Sequence, residues 1–340
     1  MLKIRTIEPM RIVIDSAIPY INNLFESYAD VLYLPGDKID HSVVKDADAL
    51  VIRTRTRCDN KLLDGSKVRL ITTATIGTDH IDHNYCREHG IIVCSAPGCN
   101  ARGVLQWVSA VLLHITTTDN KRPEEYTLGV VGVGNVGSLV SKYARHWGFR
   151  VMECDPPRQA REGGEFHTIE QIAQHCDIIT LHTPLDTTTH HLINKSLIQT
   201  MRTDATVINA SRGSVVDNRA VMESGHRYYF DVWEGEPNIS NDILANATLA
   251  TPHIAGYSVQ GKANATAMCV RAIASFFGFP LCSWYPPQIT PTTPQLISWD
   301  ELRTILPTRY DIATESDTLK QNYSNFETLR NNYNYREEWF

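Results

Sequence analysis

The 340-residue sequence has no apolar run approaching the roughly 18 residues of a membrane span, and its start shows no signal-peptide core. Basic blocks are absent as well. Its 32 lysines and arginines stand against 38 aspartates and glutamates, a net charge of −6, which gives nucleic acid or an anionic membrane no electrostatic footing. The eight cysteines form no C-x-x-C pair, and scattered thiols in a chain this long read as reduced and cytoplasmic. The thirteen histidines include His80-Ile-Asp-His83 and His190-His191, yet neither pair has cysteine or carboxylate partners at ligand spacing, so no metal is expected. No strand-rich regulatory pattern follows residue 285. What is left is an ordinary globular composition, 42% hydrophobic and 21% charged, in a chain long enough for two domains and an appendage.

What the sequence does carry centres on Gly129-Val-Val-Gly-Val-Gly-Asn-Val-Gly137. Residues 127–131 are a short apolar run suited to a buried parallel strand. Gly132, Gly134 and Gly137 then fall at G-x-G-x-x-G spacing, and Val136, Leu139, Val140, Tyr143 and Ala144 recur with helical period as far as Gly148. A second strand over residues 149–154 ends on Asp155. Strand, glycine turn, helix, strand and acid within about thirty residues is the context a dinucleotide fingerprint needs. Gly132 permits the tight turn, Gly134 lets backbone approach a pyrophosphate, and Gly137 lets helix and strand pack closely. The helix start offers N–H groups and partial positive charge to the phosphates. Asp155 can accept hydrogen bonds from both ribose hydroxyls and would repel a 2′-phosphate, which favours NAD over NADP; Arg158 lies near enough to weaken that preference.

Residues 1–9 read as an extension without pattern. Strands are expected at residues 10–15, 48–53, 68–73 and 91–95, with helix-like spacing over residues 18–28. A long apolar stripe (Val104, Leu105, Val108, Val111, Leu112, Ile115) separates this first sheet from the fingerprint, and residues 117–126 read as surface loop. Further strands at 177–182, 205–210, 228–232 and 248–251 each end in polar residues: Thr183, Ser211-Arg212, Glu234 and Glu236, and His253. In an open parallel sheet ligands bind beyond the carboxyl ends of strands, so these groups converge on one crevice. A second striped helix covers 262–278, a linker with five prolines covers 280–294, and residues 295–340 are polar, tyrosine-rich and suited to packing against a partner subunit.

Oxidising a hydroxyl-bearing carbon calls for a base, a group that orients the base, and a cation for the substrate. His253 is the natural base, Arg212 presents a planar fork to a carboxylate, and a glutamate can orient the imidazole. Spacing alone leaves Glu234 and Glu236 as rivals for that last role. Gly132-Val-Gly-Asn-Val-Gly137, Asn209-Ala-Ser-Arg-Gly213, Asp231-Val-Trp-Glu-Gly-Glu-Pro237 and Thr251-Pro-His-Ile-Ala-Gly256, in that order, resemble the signature set of the D-isomer-specific 2-hydroxyacid dehydrogenases. Thr73-Ala-Thr-Ile-Gly-Thr-Asp-His80, Ala96-Pro-Gly-Cys-Asn-Ala101, Cys154-Asp-Pro-Pro157 and the tail residues 325–333 and 336–339 narrow the resemblance to a branch acting on 4-phospho-D-erythronate.

The resemblance implies an α/β fold of two doubly wound parallel-sheet domains, a Rossmann-type NAD domain and a flavodoxin-like substrate domain, with a small C-terminal α+β segment that forms a homodimer. The expected boundaries are 10–99 for the first part of the substrate domain, 100–257 for the NAD domain, 258–285 for the return helix and 286–340 for the dimerisation segment. It implies Arg212, Glu236 and His253 as the catalytic trio, choosing Glu236 over Glu234. Gly132, Gly134, Asn135, Val136, Gly137, Asp155, Thr183, Ala210, Ser211, Arg212, Asp231 and Gly256 match cofactor-contacting positions, and Thr54, Thr75 and Tyr257 match substrate-contacting ones. The implied reaction yields (R)-3-hydroxy-2-oxo-4-phosphooxybutanoate on the route to pyridoxal 5′-phosphate. Arg53, Arg55, Arg57 and Arg309 are open candidates for the substrate phosphate. Other readings are a different family member such as phosphoglycerate dehydrogenase, or an NAD-sensing scaffold without turnover. One departure stands out: the passage from Gly213 to Asp231 is shorter than the family pattern, which could shift the strand that aims Asp231 and Glu236.

Overall fold

A computed structural model describes residues 10–340; the patternless extension expected at residues 1–9 lies outside them. The chain divides into two compact units. One comprises residues 10–100 with Val259–Pro291, the other Ala101–Ser258 with Thr292–Phe340. Among the described residues no helix is long and apolar enough to cross a membrane.

The first unit is built on five parallel strands: β1 (Arg11–Asp15), β2 (Asp30–Leu34), β3 (Ala49–Ile52), β4 (Leu70–Thr73) and β5 (Ile92–Cys94), in the order β2-β1-β3-β4-β5. That is the flavodoxin-like order. Successive residues alternate between two apolar layers, as a period of two demands. Val13, Leu50, Ile52 and Ile71 face one layer. Ile12, Ile14, Ala49, Val51 and Leu70 face the other, which Cys269, Val270 and Ile273 of helix Val259–Phe277 complete. The helix expected over residues 18–28 is a series of turns. Tyr20 and Asn23 take left-handed backbone (φ 67° and 59°), which breaks any helix, while Ile18, Ile21 and Phe25 still bury in the core.

The second unit holds β6 (Thr127–Val131), β7 (Arg150–Cys154), β8 (Ile178–Leu181), β9 (Thr206–Asn209), β10 (Arg227–Phe230) and β11 (Leu249–Ala250), all parallel, in the order β11-β10-β9-β8-β6-β7. The order reverses where β6 meets β8, the switch point at which such sheets bind ligands, and the glycine turn leaves the end of β6 there. Helix Ala101–Asp119 extends into the expected surface loop. The short passage to Asp231 leaves the strand paired. Helix Asn218–Ser224 ends on left-handed Gly225 (φ 78°), β10 runs in register with β9, and the Asp231 N–H donates to the Asn209 carbonyl at 2.9 Å.

The C-terminal segment departs from expectation in its secondary structure. Among the described residues its regular elements are helices, Trp299–Arg309, Ile312–Gln321 and Phe326–Asn331, with one isolated bridge between Ser258 and Arg336, so it is α rather than α+β. Its apolar residues also pack into their own unit. Ile297, Leu302, Leu306, Tyr310, Ile312 and Phe340 share a core with Leu105, Trp107, Tyr143 and Trp147. Trp147 Nε1 donates to the Ile297 carbonyl at 3.0 Å and Tyr143 Oη to that of Gln295 at 2.6 Å. Each large apolar side chain buried this way contributes about 1.5–3 kcal/mol.

Candidate active site

The glycine turn is built as its spacing demands. Gly132 is left-handed (φ 84°), and a Cβ there would press on the His182 carbonyl and Thr183. A Cβ on Gly137 would strike the Gly132 carbonyl, while Gly134 faces open space. Helix Asn135–Trp147 starts with no side-chain cap, so its first N–H groups keep their donor capacity at an electropositive helix end. Thr183 adds a buried hydroxyl without a partner. An uncapped helix start, an open glycine and an unpaired hydroxyl fit a dinucleotide phosphate.

Asp155 does more than await a ribose. Its Oδ2 accepts from Val133 N at 2.7 Å, and its Oδ1 caps helix Pro156–Glu162 by accepting from Arg158 N at 2.8 Å. Arg158 folds back on the same turn, with Nη1 on the Val133 carbonyl (2.7 Å) and on Ser138 Oγ (3.2 Å). The carboxylate retains lone pairs for ribose, with a guanidinium beside it.

At the end of β9, the Asn209 side chain ties the turn together. Its Oδ1 accepts from Ser211 N and Oγ, and its Nδ2 donates to the Arg212 carbonyl. Gly213 is required by close approach: a Cβ would collide with the Trp233 carbonyl. That crossing brings Arg212 beside the loop after β10. There the two glutamates separate. Glu234 accepts from Asn218 N and pairs with His191 Nε2 at 2.6 Å. Glu236 Oε1 accepts from Trp233 N, and its Oε2 lies 2.7 Å from His253 Nδ1.

The loop carrying His253 is clamped from two sides. The buried Asp231 carboxylate accepts from Thr251 Oγ1 (2.6 Å), Ile254 N (2.7 Å) and Ala255 N (2.9 Å), while its carbonyl accepts from His253 N. From the tail, buried Arg336 donates Nη2 to the Ala255 carbonyl at 2.7 Å. The same guanidinium stacks 4.2 Å from the Tyr310 ring centroid. Between these clamps His253 is held left-handed (φ 58°), a strained backbone that tertiary contacts must enforce. Burial pushes the Glu236 carboxyl up, but the His253 charge and hydrogen bond, the Trp233 N–H and the Arg330 charge outweigh it and hold the group below its usual value. Glu236 is therefore ionised, able to orient the imidazole and stabilise its protonated form. Burial drives His182, behind the glycine turn, down to about 3, so it is neutral.

Thr54 and Thr75 belong to the other unit, in the turns after β3 and β4. Thr54 is exposed; the Thr75 hydroxyl lies 2.7 Å from that of Thr73 and donates to the Gly77 carbonyl. Among the phosphate candidates, Arg53 pairs with buried Asp15 at 3.0 Å, Arg57 with Asp59, and Arg309 lies over the Trp339 ring. His80 and His83 bond to the Thr73 and Thr78 hydroxyls. The residue that sequence reasoning missed is Arg330, whose Nε donates to Tyr257 Oη at 3.2 Å. It lay inside a tail motif already noted, with no spacing to tie it to a site 73 residues earlier.

The family described as "D-isomer specific 2-hydroxyacid dehydrogenase, NAD binding domain" matches residues 105–255. Erythronate-4-phosphate dehydrogenase from Bacteroides thetaiotaomicron is 44% identical, with 97% of each chain covered. The enzyme of that name from Ectopseudomonas mendocina is also 44% identical, over 80% of this chain and 73% of its own. Among solved structures, NAD+-bound 3-phosphoglycerate dehydrogenase of Entamoeba histolytica has a TM-score of 0.68 and 23% identity over 83% of this chain and 100% of that one, a likeness of fold. Matched over nearly its whole length, and with an NAD-binding domain at its centre, the chain belongs to the D-isomer-specific 2-hydroxyacid dehydrogenases.

Proposed function

We propose that this chain oxidises 4-phospho-D-erythronate to (R)-3-hydroxy-2-oxo-4-phosphooxybutanoate with NAD, a step toward pyridoxal 5′-phosphate. Relatives named for that activity support the reading, and the observation that carries it is the 2.7 Å contact between His253 Nδ1 and Glu236 Oε2. Arg212 receives the C1 carboxylate as a fork matched to two oxygens. With Nδ1 committed to Glu236, His253 uses Nε2 to take the C2 hydroxyl proton. NAD, when bound, supplies the acceptor for the C2 hydride as the C2–O double bond forms. Gly132, Gly134, Asn135, Val136 and Gly137 cradle its phosphates and Asp155 its ribose. Thr183, Ala210, Ser211, Arg212, Asp231 and Gly256 contact the remainder. Thr54, Thr75 and Tyr257 contact substrate.

The protein works in the cytoplasm as a homodimer. With the inner face of the C-terminal segment spent on its own unit, the dimer uses the outer face, where Leu296 and Tyr323 are exposed. The test is a panel of phosphorylated 2-hydroxy acids followed by NADH absorbance. Turnover highest with 4-phospho-D-erythronate is expected. A preference for 3-phosphoglycerate would reassign the substrate, and NADH binding without turnover on any acid would indicate a sensing scaffold.

A further inference from the structure

The C-terminal segment brings a cation to the catalytic edge of its own unit. Arg330 lies in the last turn of helix Phe326–Asn331, and Phe326, 1% exposed, anchors that helix in the core with Leu329 packed beside it. Arg330 Nε donates to Tyr257 Oη at 3.2 Å. The Tyr257 ring is bracketed by Tyr333 and Tyr335, both edge-on, with centroids 6.2 and 5.9 Å away. The guanidinium also lies near enough to Glu236 for its charge to favour the ionised carboxylate. Burial works against the Arg330 charge, and Tyr257, Glu236 and Glu327 more than offset it. One cation therefore joins the tyrosine four residues past His253 to the carboxylate that orients His253. Arg309, which shares this unit, is occupied over Trp339.

We infer that Arg330 is a specificity-determining residue which, with Tyr257, receives the distal phosphate of the substrate while Arg212 holds the carboxylate at the other end. A guanidinium fork beside a phenol hydroxyl supplies the charge-assisted donors that a tetrahedral dianion needs. This inference rests on the proposed reaction, and the two can fail separately.

The experiment compares wild type, R330Q and R330K on 4-phospho-D-erythronate and on unphosphorylated D-erythronate, with KM and kcat resolved. Calorimetric binding of 4-phospho-D-erythronate to each NADH complex runs alongside. Losing a charged hydrogen bond at the phosphate should raise KM for the phosphorylated acid about 10- to 100-fold in R330Q and less in R330K. Any loss through Glu236 falls on both acids alike, so the kcat/KM ratio of phosphorylated to unphosphorylated acid should drop about 10- to 100-fold in R330Q, while kcat/KM on D-erythronate falls far less than on the phosphorylated acid. Equal losses on both acids, or an unmoved KM for the phosphorylated one, would overturn the inference and leave Arg330 a structural residue. If wild type turned over neither acid yet bound the phosphorylated one in an Arg330-dependent manner, the proposed reaction would fall and this inference would stand; Arg330-independent binding would sink both. Should R330Q lose NADH binding through misfolding, R330K decides alone: a KM equal to wild type on the phosphorylated acid counts against the inference.

Discussion

His253 combines a left-handed backbone, a carboxylate on Nδ1 and a partly exposed ring, which suits proton transfer better than structural support. Replacing it with alanine is expected to lower kcat about 10²- to 10⁴-fold, the range of a general base, with NADH affinity unchanged. Equal loss of both would make it a structural histidine. On the proposed reading Asp155 is both ribose acceptor and helix cap, and its substitution should show both halves. Asp155→Ala removes the ribose acceptor and so narrows the preference for NAD over NADP. It also removes the cap on helix Pro156–Glu162 and the Val133 acceptor, which lowers stability by about 1 kcal/mol. Paired cofactor titrations and thermal melts separate the two effects. An unchanged NAD/NADP ratio with a lowered melting point would leave Asp155 only the cap.

Among the elements, the loop from Thr251 to Ser258 depends on carboxylate beneath and guanidinium above. Arg336→Met leaves the Ala255 carbonyl and the Tyr333 hydroxyl without their buried donor, and about 1–3 kcal/mol of stability should go with each. Amide exchange confined to residues 254–257 would mark the loop as the first place to open. Elsewhere, Arg227 at the start of β10 grips Asp119 at the end of helix Ala101–Asp119 with bonds of 2.7 and 2.9 Å. Arg227 is the main cause that lowers the Asp119 pKa. A depressed carboxylate stabilises the fold fully above its ordinary value, about 3.9, and loses that contribution as pH falls through the depressed one. Wild type should therefore melt above Asp119→Asn at neutral pH, and the gap should close below about pH 4. A gap that widened in acid would reverse the sign. The same elements show what the sequence made legible. Buried strands such as Ala49–Ile52 announce themselves as apolar runs, and the glycine turn as spacing. Edge strand Asp30–Leu34 escaped because it is only half buried, and residues 18–28 misled because their apolar spacing serves packing without a helix.

For the molecule as a whole, the tail reads as polar in sequence because each of its helices offers only a few apolar residues. Those few close over Tyr143 and Trp147, and Arg330 and Arg336 reach Tyr257 and Ala255, in the loop that carries His253, across more than seventy residues of chain. Contacts of that range leave no local period, so motifs point to Arg212, Glu236 and His253 but not to the tail residues that pack beside them. Deleting residues 292–340 should therefore yield aggregate instead of a folded monomer, as light scattering would show; a soluble, NADH-binding fragment would mean the tail is an optional appendage. The intact chain should sediment as a dimer. The most direct test of the chemistry uses 4-phospho-D-erythronate deuterated at C2. Wild type should place the label on NADH, and His253→Ala should lose that transfer while still binding NADH. Unlabelled NADH formed at the normal rate, or label transfer undiminished in His253→Ala, would contradict the account.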